Sequence, residues 1–250
     1  MKKVLIIGAG AIGRGFLAPL LHDLNFEISF LDKNIDLVKK LNKKKTYIAA
    51  ITNNKSYIFK KIVIKKAFNL KEKLNIKKYN LVFCCVGPKQ CEKIAVRLKD
   101  AKVIISCEND FFSVTKIKKK SRNKNVFFGI PDVITSSTAP KNLLKIDELT
   151  TVSEQGELIL EKGKYNTSKK IKQVNRSELD QHWRAKLFIH NAPHAILAYL
   201  GHLKKYRYIH DAMMDENIKK IVIGSMREVT NGVIKAKYVS KKFGTYYMNK

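Results

Sequence analysis

The sequence is short of acidic residues and of arginine, and both shortages bear on which partners it can bind. Its 250 residues carry 21 Asp and Glu against 50 Lys and Arg, which gives a net charge of +29. Most of the basic residues are lysines, whereas specific nucleic-acid recognition relies on the forked geometry of arginine. We therefore interpret the charge as a bias in composition with a weak preference for anionic substrates, and we predict no specific nucleic-acid partner.

Cysteines are few, and their spacing argues against a metal site. Cys84, Cys85, Cys91 and Cys107 include no C-x-x-C pair, which is the spacing typical of zinc centres. Long apolar runs are also missing, because no stretch approaches the roughly 18 apolar residues that a membrane-spanning helix needs. The sequence thus predicts buried reduced thiols, no bound metal, no membrane partner and a cytoplasmic location, and it does not define an oligomeric state.

What the sequence does contain is an alternation of short apolar runs with helix-like stretches, in a chain that is 45% hydrophobic. Such alternation is typical of βαβ units around a parallel sheet. The residues from Leu149 to Leu160 also have an extended pattern, and we expect them to leave the main sheet. The other predicted strands are Lys3–Ile7, Glu27–Leu31, Tyr57–Ile64, Leu81–Val86, Val103–Ser106 and Asn125–Ile130, and the first two predicted helices are Ile12–Leu24 and Ile35–Leu41.

A polar, lysine-rich segment at residues 161–176 separates two parts of the chain that differ in the periodicity of their apolar residues. Beyond it the apolar residues recur with helical periodicity, and Ser177 and Asp215 are suitable N-caps. The sequence therefore predicts an α/β fold, in which a doubly wound parallel-sheet Rossmann domain over residues 1–175 precedes an all-helical domain over residues 176–250. The helices predicted in the second domain are Leu179–Leu203 and Asp215–Ala236.

A glycine-rich turn follows the first predicted strand. Gly8, Gly10 and Gly13 form the pattern G-x-G-x-x-G, whose glycines allow a tight turn, a close approach of the backbone to a pyrophosphate and close helix packing. Asp32 ends the second strand, where a carboxylate binds the ribose hydroxyls of NAD and repels the extra phosphate of NADP, although Lys33 softens that preference. We therefore predict an NAD site. Its turn consists of Gly8, Ala9, Gly10, Ala11, Ile12 and Gly13.

Two later loops follow predicted strands of the same sheet, at the edge where open parallel sheets bind ligands. The first begins with Val86 and Gly87, and the second is Cys107-Glu108-Asn109. We predict that Val86 and Gly87 contact the cofactor. For Asn109 two interpretations stay open: its amide faces the nicotinamide or the substrate, or it is a turn residue that bonds its own backbone.

Lys186, Asn191 and His194 lie in a predicted helix of the second domain. On an ideal α-helix, at about 100° per residue, they fall near roughly 0°, 140° and 80°, so they share one face. An amine there can accept the hydroxyl proton during alcohol oxidation, while an amide and an imidazole hold the oxygen. The alternative is an ordinary helix surface. Pro193 leaves the local geometry open, because it either kinks the helix or follows a new N-cap at Asn191.

The pattern K-x-x-x-x-N-x-x-H at Lys186, Asn191 and His194 resembles the signature of the long-chain mannitol dehydrogenase family. The resemblance implies an NAD-dependent, zinc-free oxidoreductase that interconverts mannitol 1-phosphate and fructose 6-phosphate. It also implies that Lys186 is the general base and that Asn191 and His194 polarise and orient the substrate oxygen. Other stretches that resemble the family are Gly8–Gly10, Ile12–Phe16, Val86–Pro88, Cys107–Asn109, His194–Ile196, Ala198–Gly201, Asp211–Ala212, Asp215–Glu216 and Gly224–Met226.

The chain also departs from the family pattern. Ser136–Thr138 occupies the place of an expected Asp-Arg-Ile segment, and Trp183 and Arg184 replace an expected glutamate ahead of Lys186. We expect Arg184 to lower the pKa of Lys186 and so to compensate in part. The family continues past position 250 with further helices, so we expect the helical domain to be incomplete. Two alternatives follow, which are activity on an unphosphorylated polyol or a hexuronate, and a shortened relative that binds NAD without catalysis.

Overall fold

The computed structural model of the protein describes residues 1–53 and 56–249, which form two compact units, Met1–Val174 and Asn175–Lys250. The strands, all in the first unit, are β1 (Lys3–Ile7), β2 (Glu27–Asp32), β3 (Thr46–Thr52), β4 (Tyr57–Val63), β5 (Lys66–Asn69), β6 (Leu81–Cys84), β7 (Ile104–Ser106), β8 (Val126–Asp132), β9 (Thr135–Ser136), β10 (Thr151–Glu154), β11 (Glu157–Glu161) and β12 (Lys172–Val174). Its α-helices are α1 (Ala18–Asp23), α2 (Ile35–Lys44), α3 (Pro88–Ala95), α4 (Phe112–Ser121) and α5 (Lys141–Ile146), and a π-helix, Ala11–Leu17, precedes α1. Short 3-10 helices are Ile76–Lys78 and Val96–Leu98.

The main sheet of the first unit has eight strands in the order β12-β11-β8-β7-β6-β1-β2-β5. From β5 to β8 all neighbouring strands are parallel. Strands covered on both faces need consecutive apolar residues, and Val4–Ile7 and Leu81–Cys84 are buried throughout. The predicted doubly wound parallel sheet is therefore confirmed. The strand order reverses between β1 and β6, and such sheets bind ligands outside the carboxyl ends of the strands at that point.

One edge of the main sheet differs from the prediction. β11 pairs antiparallel with β8, so β10 leaves the main sheet while β11 belongs to it. β12 pairs with β11 and lies inside the lysine-rich segment at residues 161–176, which the sequence marked only as a boundary. Lys172 and Gln173 are exposed on this edge strand, so no apolar run in the sequence indicates it.

A second sheet has the strand order β4-β3-β10-β9. β3 pairs antiparallel with β4 and parallel with β10. The sequence did not predict this strand, because β3 directly follows the lysine-rich end of α2. The C-cap of that helix is Lys45, which has a left-handed φ of 57°. β3 buries Tyr47 completely, whereas the edge strand β4 exposes Tyr57 and Phe59. The inner strand β3 therefore contributes to the core, whereas β4 is a partly exposed edge strand.

The second unit is entirely helical over its described residues. Arg176 to Leu203 form one continuous helical stretch, and Asn175, not the predicted Ser177, caps it by accepting the Glu178 N–H at 2.9 Å. Asp215 is the N-cap of the long helix, as predicted, because its Oδ1 accepts the N–H groups of Asn217 and Ile218. The elements are α6 (Arg176–Arg184), a π-helix (Ala185–Asn191), α7 (Ala192–Leu203), α8 (Ile209–Met213), α9 (Glu216–Lys235) and α10 (Lys241–Met248).

Two small cores hold the helices of the second unit together. One contains Ala185, Ile189 and Val233, and the other contains Leu197 and Val222. In the part of the chain that the structure describes, each helix is too short or too polar to cross a lipid bilayer.

Candidate cofactor and catalytic sites

The turn after β1 requires glycine at two positions for steric reasons. Gly8 has a left-handed φ of 98°, and a Cβ there would lie 2.5 Å from the Cys85 carbonyl oxygen. A Cβ on Gly13 would lie 1.9 Å from the Gly8 carbonyl oxygen, so only glycine lets the helix start this close to the strand. At Gly10 a Cβ would meet no atom within 4 Å. The space beside Gly10 is open, and it is where a pyrophosphate can approach the backbone.

The helix that begins at this turn is wider than an α-helix at its start. Ala11–Leu17 is a π-helix, and the Ala18 N–H donates to the Gly13 carbonyl five residues earlier. It continues into α1, so the predicted helix Ile12–Leu24 is present with a different first part. Ala11 and Ile12 are half-buried at its beginning. Free N–H groups and the positive end of the helix dipole at such a position attract phosphate.

Asp32 connects the end of β2 to the glycine turn. Its Oδ2 accepts the Ala9 N–H at 2.7 Å, and its Oδ1 accepts the Asn34 N–H at 2.8 Å. Each carboxylate oxygen has more than one lone pair, so both oxygens can still accept hydrogen bonds from ribose hydroxyls. The carboxylate is held in place before any ligand arrives.

A cavity of about 450 Å³ opens between the glycine turn and α3. Its apolar wall includes Leu31, Leu70 and Ile94, and Asp32 lies at its polar side. An apolar slot next to a fixed carboxylate and an open glycine backbone fits the adenosine and pyrophosphate of a dinucleotide. The lining residues are Ile7, Gly8, Gly10, Leu31, Asp32, Lys33, Leu70, Cys85, Val86, Gln90, Lys93, Ile94 and Arg97.

The structure brings only some of the predicted cofactor residues to this cavity. Of the ten residues that we predicted, Gly8, Gly10, Asp32 and Val86 line it. The side chain of Asn109 is exposed after β7, outside the lining, so neither interpretation of this residue is favoured. The remaining predicted residues do not line the cavity. They are Ala9 of the glycine turn, Ala11, Ile12 and Gly13 at the start of the π-helix, and Gly87 in the loop before α3.

Sequence reasoning missed the carboxylate of Glu108. Glu108 is 8% exposed, and its Oε1 accepts the Val86 N–H at 2.7 Å and the Gly87 N–H at 2.9 Å. Burial raises the pKa of Glu108, and its hydrogen bonds to Cys91, Gly87 and Val86 oppose that rise. The available signal was its position directly after a buried strand, at the sheet edge that it shares with Val86.

The thiols do not form a metal site among residues 1–53 and 56–249, where no three His, Cys, Asp or Glu side chains group around a point. All four cysteines are reduced thiols, and Cys84, Cys91 and Cys107 are buried. Cys85 lines the cavity, but burial raises the pKa of its thiol well above the ordinary value. A thiol in that state is a poor nucleophile and a poor metal ligand.

The predicted catalytic residues lie on a helix of unexpected form. Lys186 is buried and Asn191 is half-buried, and both belong to the π-helix Ala185–Asn191. The α-helical angles that we assumed are therefore wrong here, because hydrogen bonds from i to i+5 widen the turn and bring residues five apart close to one face. Lys186 and Asn191 are such a pair. Asn191 has helical dihedrals and no side-chain cap bond, so it lies within the helix and does not start a new one.

His194 follows one residue after Pro193, in the first turn of α7. Its Nδ1 lies 2.9 Å from the His190 carbonyl oxygen, and the two imidazole rings stack at 4.9 Å between centroids. A carbonyl oxygen only accepts hydrogen bonds, so Nδ1 carries the proton in the neutral ring and Nε2 is an acceptor. Arg184, which we predicted to lower the pKa of Lys186, donates from its Nε to Asp180 Oδ2 at 2.6 Å.

The parallel sheet, the glycine turn and the cavity define a Rossmann-type dinucleotide-binding domain. Residues 2–125 match the family model of the mannitol dehydrogenase Rossmann domain, and residues 178–250 match that of the mannitol dehydrogenase C-terminal domain. The chain belongs to the mannitol dehydrogenase family of oxidoreductases, which confirms the resemblance. Membership implies a nicotinamide nucleotide cofactor and a small-molecule substrate.

Curated relatives cover nearly the whole chain. Mannitol-1-phosphate 5-dehydrogenase of Clostridium acetobutylicum is 31% identical, over 99% of this chain and 71% of that protein. The enzyme of the same name from Caldanaerobacter subterraneus is 30% identical, over 100% of this chain and 72% of that protein. The one from Buchnera aphidicola subsp. Acyrthosiphon pisum is 30% identical, over 99% of this chain and 71% of that protein.

Solved structures share the fold at low identity. D-mandelate dehydrogenase with NADH and anilino(oxo)acetate superposes with a TM-score of 0.62 at 13% identity, over 99% of this chain and 79% of that chain. A dimeric ketopantoate reductase from Staphylococcus aureus superposes with a TM-score of 0.58 at 15% identity, over 99% of this chain and 85% of that chain. At these identities the likeness shows the fold alone.

Proposed function

We propose that this chain is an NAD-dependent dehydrogenase that interconverts mannitol 1-phosphate and fructose 6-phosphate without zinc. The observation that carries the proposal is the set of relatives named mannitol-1-phosphate 5-dehydrogenase, which are 30 to 31% identical over 99 to 100% of the chain. The Lys186, Asn191 and His194 pattern supports it, since those residue types suit alcohol oxidation without a metal.

The preference for NAD over NADP rests on Asp32. Its carboxylate lies at the cavity wall and is fixed by two backbone N–H groups. A fixed negative charge accepts hydrogen bonds from ribose hydroxyls and repels a ribose phosphate. When bound, NAD supplies the acceptor for the hydride that leaves the hydroxyl-bearing carbon.

Lys186 has the role of general base in this proposal. It is 8% exposed, and burial disfavours the protonated form of an amine, which favours the neutral amine that a base must present. During oxidation the Lys186 Nζ takes the proton of the substrate hydroxyl while the C–H bond breaks and the C=O bond forms. In the reverse direction the same Nζ returns the proton to the new hydroxyl oxygen.

Asn191 and His194 divide the task of holding the substrate. The Asn191 amide is a donor that stabilises negative charge on the oxygen as the carbonyl forms or reacts. Neutral His194 presents Nε2 as an acceptor, because its Nδ1 proton is directed at the His190 carbonyl. We therefore assign the orientation of a substrate hydroxyl to His194 and the polarisation of the reacting oxygen to Asn191.

The decisive experiment follows the oxidation of NADH with fructose 6-phosphate, and compares fructose and hexuronates as substrates. We expect turnover with the phosphorylated sugar only. Lys186→Ala should abolish turnover and leave NADH binding intact, and the exposed Lys220 of α9 gives the matched control, Lys220→Ala. Full activity of Lys186→Ala would show that another group is the base.

Two further results would redirect the proposal. Turnover that is lost on dialysis against a chelator and restored by zinc would contradict zinc independence. Tight NADH binding without turnover on any sugar or polyol would favour the alternative of a relative that binds the cofactor without catalysis.

A further inference from the structure

The buried carboxylate of Glu108 holds the loop on the α3 side of the cofactor cavity. A single oxygen, Oε1, accepts the consecutive N–H groups of Val86 and Gly87 at 2.7 and 2.9 Å, and the Cys91 thiol donates to it at 3.2 Å. Two successive N–H groups converge on one atom here in a loop where Gly87 has a left-handed φ of 88°. The carboxylate and the glycine thus define one loop conformation together.

That loop shapes the cavity on two sides. Val86 itself lines the cavity, and Gly87 is the N-cap residue of α3 without any side-chain capping bond of its own. α3 supplies three other lining residues, which are Gln90, Lys93 and Ile94. A shift of the loop would therefore move one lining residue directly and three through the helix that starts there.

We propose that Glu108 is a positioning residue for dinucleotide binding. It holds the Val86–Gly87 loop and the start of α3 in the conformation that the cofactor needs. This assignment rests on the proposed function for the identity of the ligand. A carboxylate that is almost completely buried is costly unless it is hydrogen-bonded. The hydrogen bonds from the Val86–Gly87 loop offset this cost.

The test measures the dissociation constant of NADH for the full chain by fluorescence titration, beside the melting temperature of each variant. In Glu108→Ala both loop N–H groups lose their acceptor, and we expect the NADH dissociation constant to rise by roughly tenfold or more. Glu108→Gln keeps an acceptor oxygen at the same length, so we expect it to restore affinity to within about threefold of the wild type. The Michaelis constant for NADH should rise in Glu108→Ala while kcat changes little.

Glu161 provides the matched control, because its Oε2 accepts the Phe128 N–H at 3.0 Å on the same sheet, outside the cavity lining. We expect Glu161→Ala to lower the melting temperature without changing NADH affinity. If Glu108→Ala does not fold, Glu108→Asp replaces it, since a shorter carboxylate cannot reach both N–H groups.

Two outcomes separate this assignment from the proposed function. Wild-type affinity in Glu108→Ala, or in Glu108→Asp where that is used, overturns the positioning role alone. Failure of the wild-type chain to bind NADH overturns the proposed cofactor and, with it, the assignment of Glu108.

Discussion

The hydroxyl of Tyr47 donates a 2.6 Å hydrogen bond to the Arg14 carbonyl oxygen, and the Arg14 guanidinium lies 5.8 Å from the centre of the Tyr47 ring. Arg14 is buried in the π-helix after the glycine turn, and Tyr47 is buried in β3 of the second sheet. The guanidinium also donates to the carbonyls of Ala9, Leu149 and Ser137. Burial lowers the pKa of Arg14, but an arginine remains charged at neutral pH. The buried Arg14 guanidinium and the Tyr47 hydroxyl thus connect the glycine turn to the second sheet.

Tyr47→Phe should reduce the stability of the first unit. The change removes the donor to a buried carbonyl oxygen, and leaving such a group without that partner costs about 1 to 2 kcal/mol. Urea unfolding checks this, and the midpoint should fall while the slope of the transition stays the same. Tyr57→Phe on the exposed strand β4 is the control, and an equal loss in both variants would contradict the role of the Tyr47 hydroxyl.

Gly10→Ala and Gly13→Ala should separate cofactor binding from folding. A Cβ on Gly10 enters open space and its φ is −84°, so the variant should melt within about 1 °C of the wild type. The same methyl group should obstruct the pyrophosphate and weaken NADH binding roughly tenfold. Gly13→Ala should instead destabilise the fold, because its Cβ would lie 1.9 Å from the Gly8 carbonyl oxygen. Unchanged NADH affinity in Gly10→Ala would place the pyrophosphate elsewhere.

Asp32→Asn should shift the choice of cofactor. The amide keeps an acceptor oxygen for the glycine turn but loses the negative charge that repels a ribose phosphate, while Lys33 and Lys93 still line the cavity. We expect the ratio of NADPH to NADH affinity to rise by roughly tenfold. Titration with both cofactors measures it, and Asp36→Asn in the first turn of α2 is the control. An unchanged ratio would mean that Asp32 does not select the cofactor.

Asp215→Asn should remove an acid-sensitive contribution to the stability of the second unit. The hydrogen bond from Lys204, at 2.7 Å, is the main cause that lowers the pKa of Asp215 below its ordinary value. A lowered pKa stabilises the fold above the unfolded-state value and loses that effect as pH falls through the folded-state value. Asparagine is an equally good N-cap, so wild type and variant should differ in melting temperature near neutral pH. They should converge as the pH falls through the lowered pKa of Asp215. A constant difference at all pH values would exclude the ion pair as its source.

Local signals in the sequence predicted those parts of the site that depend on neighbours along the chain. The glycine pattern between β1 and the following helix and the acidic residue that ends β2 were all visible without a structure. The N-cap at Asp215 was visible for the same reason. Each depends on a few consecutive residues and on the sterics or hydrogen bonding of their own backbone.

Other parts depended on contacts that consecutive residues do not encode. The strand β12 lacks an apolar run, and the apolar residues 47–51 of β3 directly follow the lysine-rich end of α2. Both strands pair with strands that are distant in the chain. Glu108 looked like an ordinary loop acid, since its partners Val86 and Gly87 lie more than twenty residues earlier. The pattern of Lys186 and Asn191 was readable, but its π-helical geometry was not, because periodicity alone assumes an α-helix.

The sequence by itself determined a parallel Rossmann sheet with a glycine turn, because apolar runs and backbone sterics act locally. Only the tertiary structure decided which carboxylate holds the loop beside α3 and how the helix carrying Lys186 widens. Those features arise where a polar group is buried or a helix packs against its neighbours, and the free energy of burial depends on residues far away in the chain.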